Sequence, residues 1–111
     1  MAKQKLSALA APFQGKWRIA EMDSGTTRRS TSFIAFKGQE GEMRFIALTA
    51  WLDVRCDARN GGPVAEFSWE GDDEGDQRSG RGWVALGTAG RLVGHVYIHR
   101  GDNSGFVCEL W

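Results

Sequence analysis

The sequence predicts a small all-β protein, an antiparallel meander of about eight strands that closes into a barrel. Three observations carry this. From residue 15 onward, apolar and polar residues alternate with period two in short runs. Glycine is abundant (15 of 111 residues), whereas proline occurs only at Pro12 and Pro63, a balance that favours short strands and tight turns. No helix-length apolar stripe follows Pro12, so nothing interrupts the string of strands.

The elements follow in order. Residues 3–11 are rich in Ala and Leu and read as a short helix or arm that Pro12 ends. Lys16–Met22 is the first strand, and Asp23–Ser32 a polar loop. Ser32–Lys37 is the second strand, Gly38–Gly41 a turn, and Met43–Thr49 the third strand. Trp51–Cys56 is the fourth, with Ala50 between them. Asn60-Gly61 is the strongest hairpin signal, because this pair adopts positive φ at little cost. Val64–Glu70 is the fifth strand. An acidic loop then leads to Gly82–Leu86, the sixth. Thr88–Gly90 turns into Leu92–His99, the seventh, and Arg100–Ser104 turns into Gly105–Trp111, the last. Residues 1–14 are thus an N-terminal arm and 15–111 a single barrel domain. Closing the sheet would remove its exposed edges.

Alternation assigns the core. Leu52, Val54 and Cys56 share one face, opposite Asp53, Arg55 and Asp57. Ala65, Phe67 and Trp69 oppose Glu66, Ser68 and Glu70. Leu92, Gly94, Val96 and Ile98 oppose Val93, His95, Tyr97 and His99, and Phe106, Cys108 and Leu110 oppose Val107, Glu109 and Trp111. Trp17, Trp69 and Trp83 are expected to pack the core or close the barrel. Five Trp and six Phe give so small a core a large apolar content.

Formal net charge is zero, from 14 basic and 14 acidic residues. Residues 1–60 carry ten Lys/Arg against six Asp/Glu, and residues 61–111 four against eight. This balance argues against a dedicated duplex-DNA binder. The N-terminal apolar run is too short for a secretory signal, and no segment reaches membrane-helix length. The expected location is the cytoplasm, with Cys56 and Cys108 reduced.

Gly15-Lys16-Trp17 opens the first strand, and a Gly-X-Trp in that place resembles the calycins, the lipocalin and avidin-like barrels. The resemblance implies a structural Trp17 that closes one barrel end. GKWRIAEMD, AWLDVRC, FSWEGDDEGD, SGRGW and HRGDNSGF together resemble small bacterial proteins without an assigned activity. That likeness covers most of the chain from Gly15 to Phe106 and implies a fold, not a function. The chain departs from it at residues 24–32, which are polar and basic.

Candidate chemistry concentrates between Phe67 and Trp83. Glu70, Asp72, Asp73, Glu74 and Asp76 fall within seven residues, and Arg78 and Arg81 follow. Such a run suits either a solvated loop or a binding rim. It lacks the ligand spacing of an EF-hand loop, so no metal is assigned. His95 and His99 on one strand lie about 13 Å apart, too far to share an ion. Cys56 and Cys108 lack a C-x-x-C pattern, and Ser79 sits in no nucleophile elbow. No catalytic residue and no cofactor are therefore assigned. Asp53 and Glu66 are candidates for a cross-strand carboxylate pair, but Arg55 and Asp57 beside them favour an ion-pair lattice. Arg18, Arg28, Arg29, Lys37 and Arg44 form a candidate basic cluster for single-stranded nucleic acid, without an RNP-like motif to support it.

The expected function is a non-catalytic binding module, with a small molecule or a protein held at the barrel mouth or on its rim loops. The rim residues named for that role are Asp72, Asp73, Asp76, Arg78, Arg81 and His99. A protein–protein adaptor or inhibitor with a filled barrel is the alternative, and a single-stranded nucleic-acid-binding barrel a third reading.

Overall fold

The computed structural model describes residues 8–22, the backbone of 25–26, and residues 32–45 and 47–111. Among these residues nine strands form one antiparallel sheet: β1 Gly15–Met22, β2 Gly25–Thr26, β3 Phe33–Lys37, β4 Glu40–Phe45, β5 Leu48–Arg59, β6 Gly62–Asp73, β7 Asp76–Leu86, β8 Leu92–Ile98 and β9 Asn103–Leu110. The order is β2-β1-β3-β4-β5-β6-β7-β8-β9, and β9 pairs back onto β1. Eight strands thus close a barrel, and β2 is a short flap paired to Glu21 and Met22. Along the β1–β9 seam Trp17 faces Leu110 and Ile19 faces Cys108. The register then shifts before Glu21 meets Val107, leaving Ala20 as a β-bulge. The bulge turns Met22 inward with Trp17 and Ile19.

The interior is filled. Rings from Phe13, Trp17, Phe36, Phe45, Phe67, Trp69 and Phe106 interleave with Ile19, Ile34, Met43, Leu52, Val54, Val84, Leu92, Val96 and Cys108 in one continuous cluster. An eight-stranded barrel has an interior just wide enough for such packing. Rings this large fit only where an opposing strand gives way. A Cβ at Gly82 would overlap the Phe67 ring and lie 2.7 Å from the His95 carbonyl. The same holds at Gly94, where a Cβ would come 2.7 Å from Phe106 Cζ.

One barrel end is sealed by the N-terminal segment. Ala11–Phe13 forms a 3₁₀ turn with Pro12 inside it, so the proline builds the turn where the sequence suggested it would end a helix. Residues 3–7 of the expected helix or arm lie outside the described residues. Phe13 is fully buried and meets Phe36 edge-on at 6.3 Å. The indole of Trp17 donates to the Phe13 carbonyl at 2.9 Å, and the Gln14 side-chain oxygen accepts from the Gly38 amide at 2.7 Å.

Five sequence expectations need correction, the first being Leu110, which alternation put with Phe106 and Cys108 in the core but which is exposed at the end of β9. Thr49, expected in the third strand, lies in β5. That strand runs unbroken for 12 residues with Leu48, Ala50, Leu52 and Val54 all inward. The polar loop 23–32 contains the β2 flap. Trp83 lies on the outer face, because Gly82 and Val84 take the inward positions on either side of it. The acidic stretch is no loop. β6 runs 12 residues to Asp73 and β7 starts at Asp76, so only Glu74 and Gly75 turn, both at positive φ (53° and 92°). A two-residue turn of this kind matches the twist of paired strands.

The glycine contacts generate a stability prediction. Gly82→Ala should cost roughly 2–3 kcal/mol in denaturant unfolding, the upper part of the overpacking range. Gly62→Ala, where an added Cβ meets nothing within 4 Å, should stay within about 0.5 kcal/mol of the parent.

Candidate functional site

β5, β6 and β7 are the longest strands, and their outer face carries the chemistry. Register stacks outward side chains in rows across the sheet. Trp51 lies beside Glu70 and Glu70 beside Ser79, whose carbonyl accepts the His99 amide at 2.7 Å. The next row is Asp53, Ser68, Arg81 and Tyr97, and the third is Arg55, Glu66, Trp83 and His95. A groove of about 700 Å³ runs between Trp51 and Tyr97 over Asp53, Ser68, Glu70, Arg81 and His99. A second hollow of about 550 Å³ continues it past Arg55, Glu66 and Trp83.

Some groove charges are satisfied within the protein and others are not. Arg55 pairs with Asp53 at 3.5 Å, and Arg59 pairs with Glu66. Asp53 and Glu66 thus belong to an ion-pair lattice, not to a carboxylate dyad. Arg81 makes no ion pair within 4.0 Å among the described residues. His95 binds the Asn103 side-chain oxygen at 2.7 Å and stacks on Tyr97 at 4.7 Å, which fixes the Tyr97 ring at the groove edge. Trp51 is 59% exposed and Tyr97 44%, both unusually open for large aromatics.

The six residues named as rim candidates are divided among three places. Arg81 and His99 line the groove. Asp72 serves the turn, where its carboxylate accepts from the Gly75 amide at 3.1 Å, and Asp76 sits beside that turn opposite Asp73. Asp73 and Arg78 line the barrel mouth, at the end opposite Phe13. Arg78 lies opposite Gly71, and like Arg81 it has no ion-pair partner within 4.0 Å among the described residues. Trp51 and Tyr97 were not among the candidates. The signal for them was alternation: both share a face with polar neighbours, Asp53 and His95 respectively.

The basic side chains of the first strands form a separate cluster. Lys16 Nζ lies 4.5 Å from the Phe33 ring and 4.2 Å from the Trp111 ring, and Arg18 stacks on Trp111 at 4.6 Å. Arg44 lies 5.8 Å over Phe33 and 3.9 Å from Glu42. These cation–π contacts hold the C-terminal residue against β1, where its amide also donates to the Lys16 carbonyl. Arg28 and Arg29 lie outside the described residues.

Among the described residues, no three His, Cys, Asp or Glu side chains gather as a metal site. Nor is any helix long and apolar enough to cross a membrane. Both cysteines are free. Burial pushes the Cys56 thiol up and the Cys108 thiol up to about 12, so the buried Cys108 is held neutral near neutral pH. Comparison with protein-family models, curated proteins and solved structures finds no match for the chain.

The thiols give two expected outcomes. Half-buried Cys56 should react with an aromatic disulfide reagent in the native protein, and Cys108 only after unfolding. Between the ordinary thiol value of 9.0 and about 12 the unfolded chain loses the Cys108 proton while the folded chain keeps it. Stability should therefore fall as pH rises through that window, and Cys108→Ala should flatten the fall.

Proposed function

We propose that this barrel is a non-catalytic binding module that docks an extended segment of a protein partner in the outer groove of β5–β8. One observation carries the reading: two exposed aromatics, Trp51 and Tyr97, line one groove with Arg81, a guanidinium without an ion-pair partner within 4.0 Å among the described residues. Tryptophan, tyrosine and arginine dominate the energetics of protein interfaces, because each covers a large area and has a defined polar end. Glu70 and His99 beside them supply a carboxylate and an imidazole for a partner's polar groups.

The filled interior supports this reading over a ligand carried inside the barrel, since the lumen is taken up by core side chains. It also ranks the groove above a nucleic-acid surface. Lys16, Arg18 and Arg44 already lie over Phe33 and Trp111, the rings a base would need for stacking. The free thiols fit a cytoplasmic setting.

Selection from a random-peptide display library against the parent protein tests the reading. Selected peptides should bind Trp51→Ala and Arg81→Ala at least about tenfold more weakly, or about 1.4 kcal/mol each. Thermal midpoints should stay unchanged, because both side chains are exposed. Peptides indifferent to both substitutions, or no recovered peptide at all, would contradict it.

A further inference from the structure

At the end opposite Phe13, the β4–β5, β6–β7 and β8–β9 connections surround a cavity of about 340 Å³. Its floor is apolar, from Phe45, Leu48 and Ile98, with Trp69 at its inner side. Its rim carries both signs of charge: Arg78 on β7, Asp73 on the neighbouring β6 and Asp102 in the β8–β9 connection. None of the three makes an ion pair within 4.0 Å among the described residues. This site is distinct from the outer groove, because alternation along β6 and β7 carries Asp73 and Arg78 to the inner side of the sheet and Ser68 and Arg81 to the outer.

Trp69 makes the mouth more than a charged rim. Its residue is 3% exposed, and its indole Nε1 is the buried side-chain polar atom with no hydrogen-bond partner among the described residues. Trp17, by contrast, satisfies its own buried indole on the Phe13 carbonyl. A buried donor without an acceptor calls for an explanation. Its surroundings supply one. Nε1 lies over Gly80, where an added Cβ would come within 2.9 Å of it. Trp69 itself lines the cavity. Arg78 lies two residues further along the same strand face, about 7 Å away along the backbone.

We propose that this mouth binds a small zwitterion with an apolar body, a free apolar α-amino acid. Its carboxylate would accept from the Trp69 indole N–H and from Arg78. Its ammonium would meet Asp73 or Asp102, and its side chain would rest on Phe45 and Leu48. Charge decides among the alternatives. A monocarboxylate without an ammonium would face two acids for one arginine. A cation without an acceptor would leave both Arg78 and the buried indole N–H unpaired. Only a ligand with both charges satisfies the donor, the guanidinium and the acids together.

The test is a titration of the ¹⁵N-labelled protein followed at the Trp69 indole cross-peak, assigned by through-bond experiments. L-leucine and L-phenylalanine are the probes, with N-acetyl-leucine and leucinamide as the singly charged comparisons. At least one free amino acid should move the Trp69 indole peak and saturate below about 10 mM, with both blocked forms at least about tenfold weaker. Arg78→Gln, on the exposed rim, should weaken the free amino acid about tenfold with the rest of the spectrum unchanged. Trp51→Ala, on the outer face, should leave the titration unaltered, so failure here and failure of the groove reading are separable. An indole peak unmoved by either amino acid overturns the proposal. Equal binding of a blocked form, or indifference to Arg78→Gln, also overturns it.

Discussion

Where Trp17 lies beside Leu110 and Ile19 beside Cys108, the first and last strands pair and turn an open sheet into a ring. Without that ladder, β1 and β9 would both present unpaired backbone groups. With it, every barrel strand has two neighbours. The ladder ends in a clasp. Trp111 leaves β9, returns its amide to the Lys16 carbonyl and lies under the Lys16 and Arg18 cations. The bulge at Ala20 keeps the inward set correct on both sides of the seam, so closure and core packing are one constraint.

Closure at eight strands fixes how much can fit inside. The enclosed space accepts Phe67, Trp69 and Phe106 because glycines face them, and it then has no room for a guest. Binding chemistry is displaced to the outside and to the open end. The long β5–β7 strands serve both places at once. Their outer face holds Trp51, Arg81 and the groove, and the inner face of their overhanging end holds Asp73 and Arg78 at the mouth. The 3₁₀ turn at Phe13 closes the other end, which makes the two ends chemically different.

Much of this was legible in the sequence. Period-two alternation assigned the inward residues of β5, β6 and β8 correctly, and Asn60-Gly61 marked its hairpin, with both residues at positive φ. What misled was composition standing in for geometry. Five acids looked like a solvated loop, yet nearly all of that stretch is strand, because Glu74-Gly75 alone makes the turn and backbone pairing continues to Asp73 and Asp76. Between Phe45 and Leu48 no Gly, Pro, Asn or Asp marks the boundary of β4 and β5, so the break was placed too late. The candidate site was partly legible. Charge picked out Arg78 and Arg81, but not that the pleat sends the first inward and the second outward. Trp83 was given to the core on its hydrophobicity, although Gly82 and Val84 already held the inward positions.

Native-state amide hydrogen exchange tests the closed, filled barrel most directly. If β1 and β9 are joined, their mutually bonded amides should exchange within about tenfold of those between β6 and β7, since all would open only with the whole barrel. If the sheet is open, β1 and β9 amides should exchange about a thousandfold faster than the β6–β7 ladder, as fraying edge strands do. That result would contradict the account.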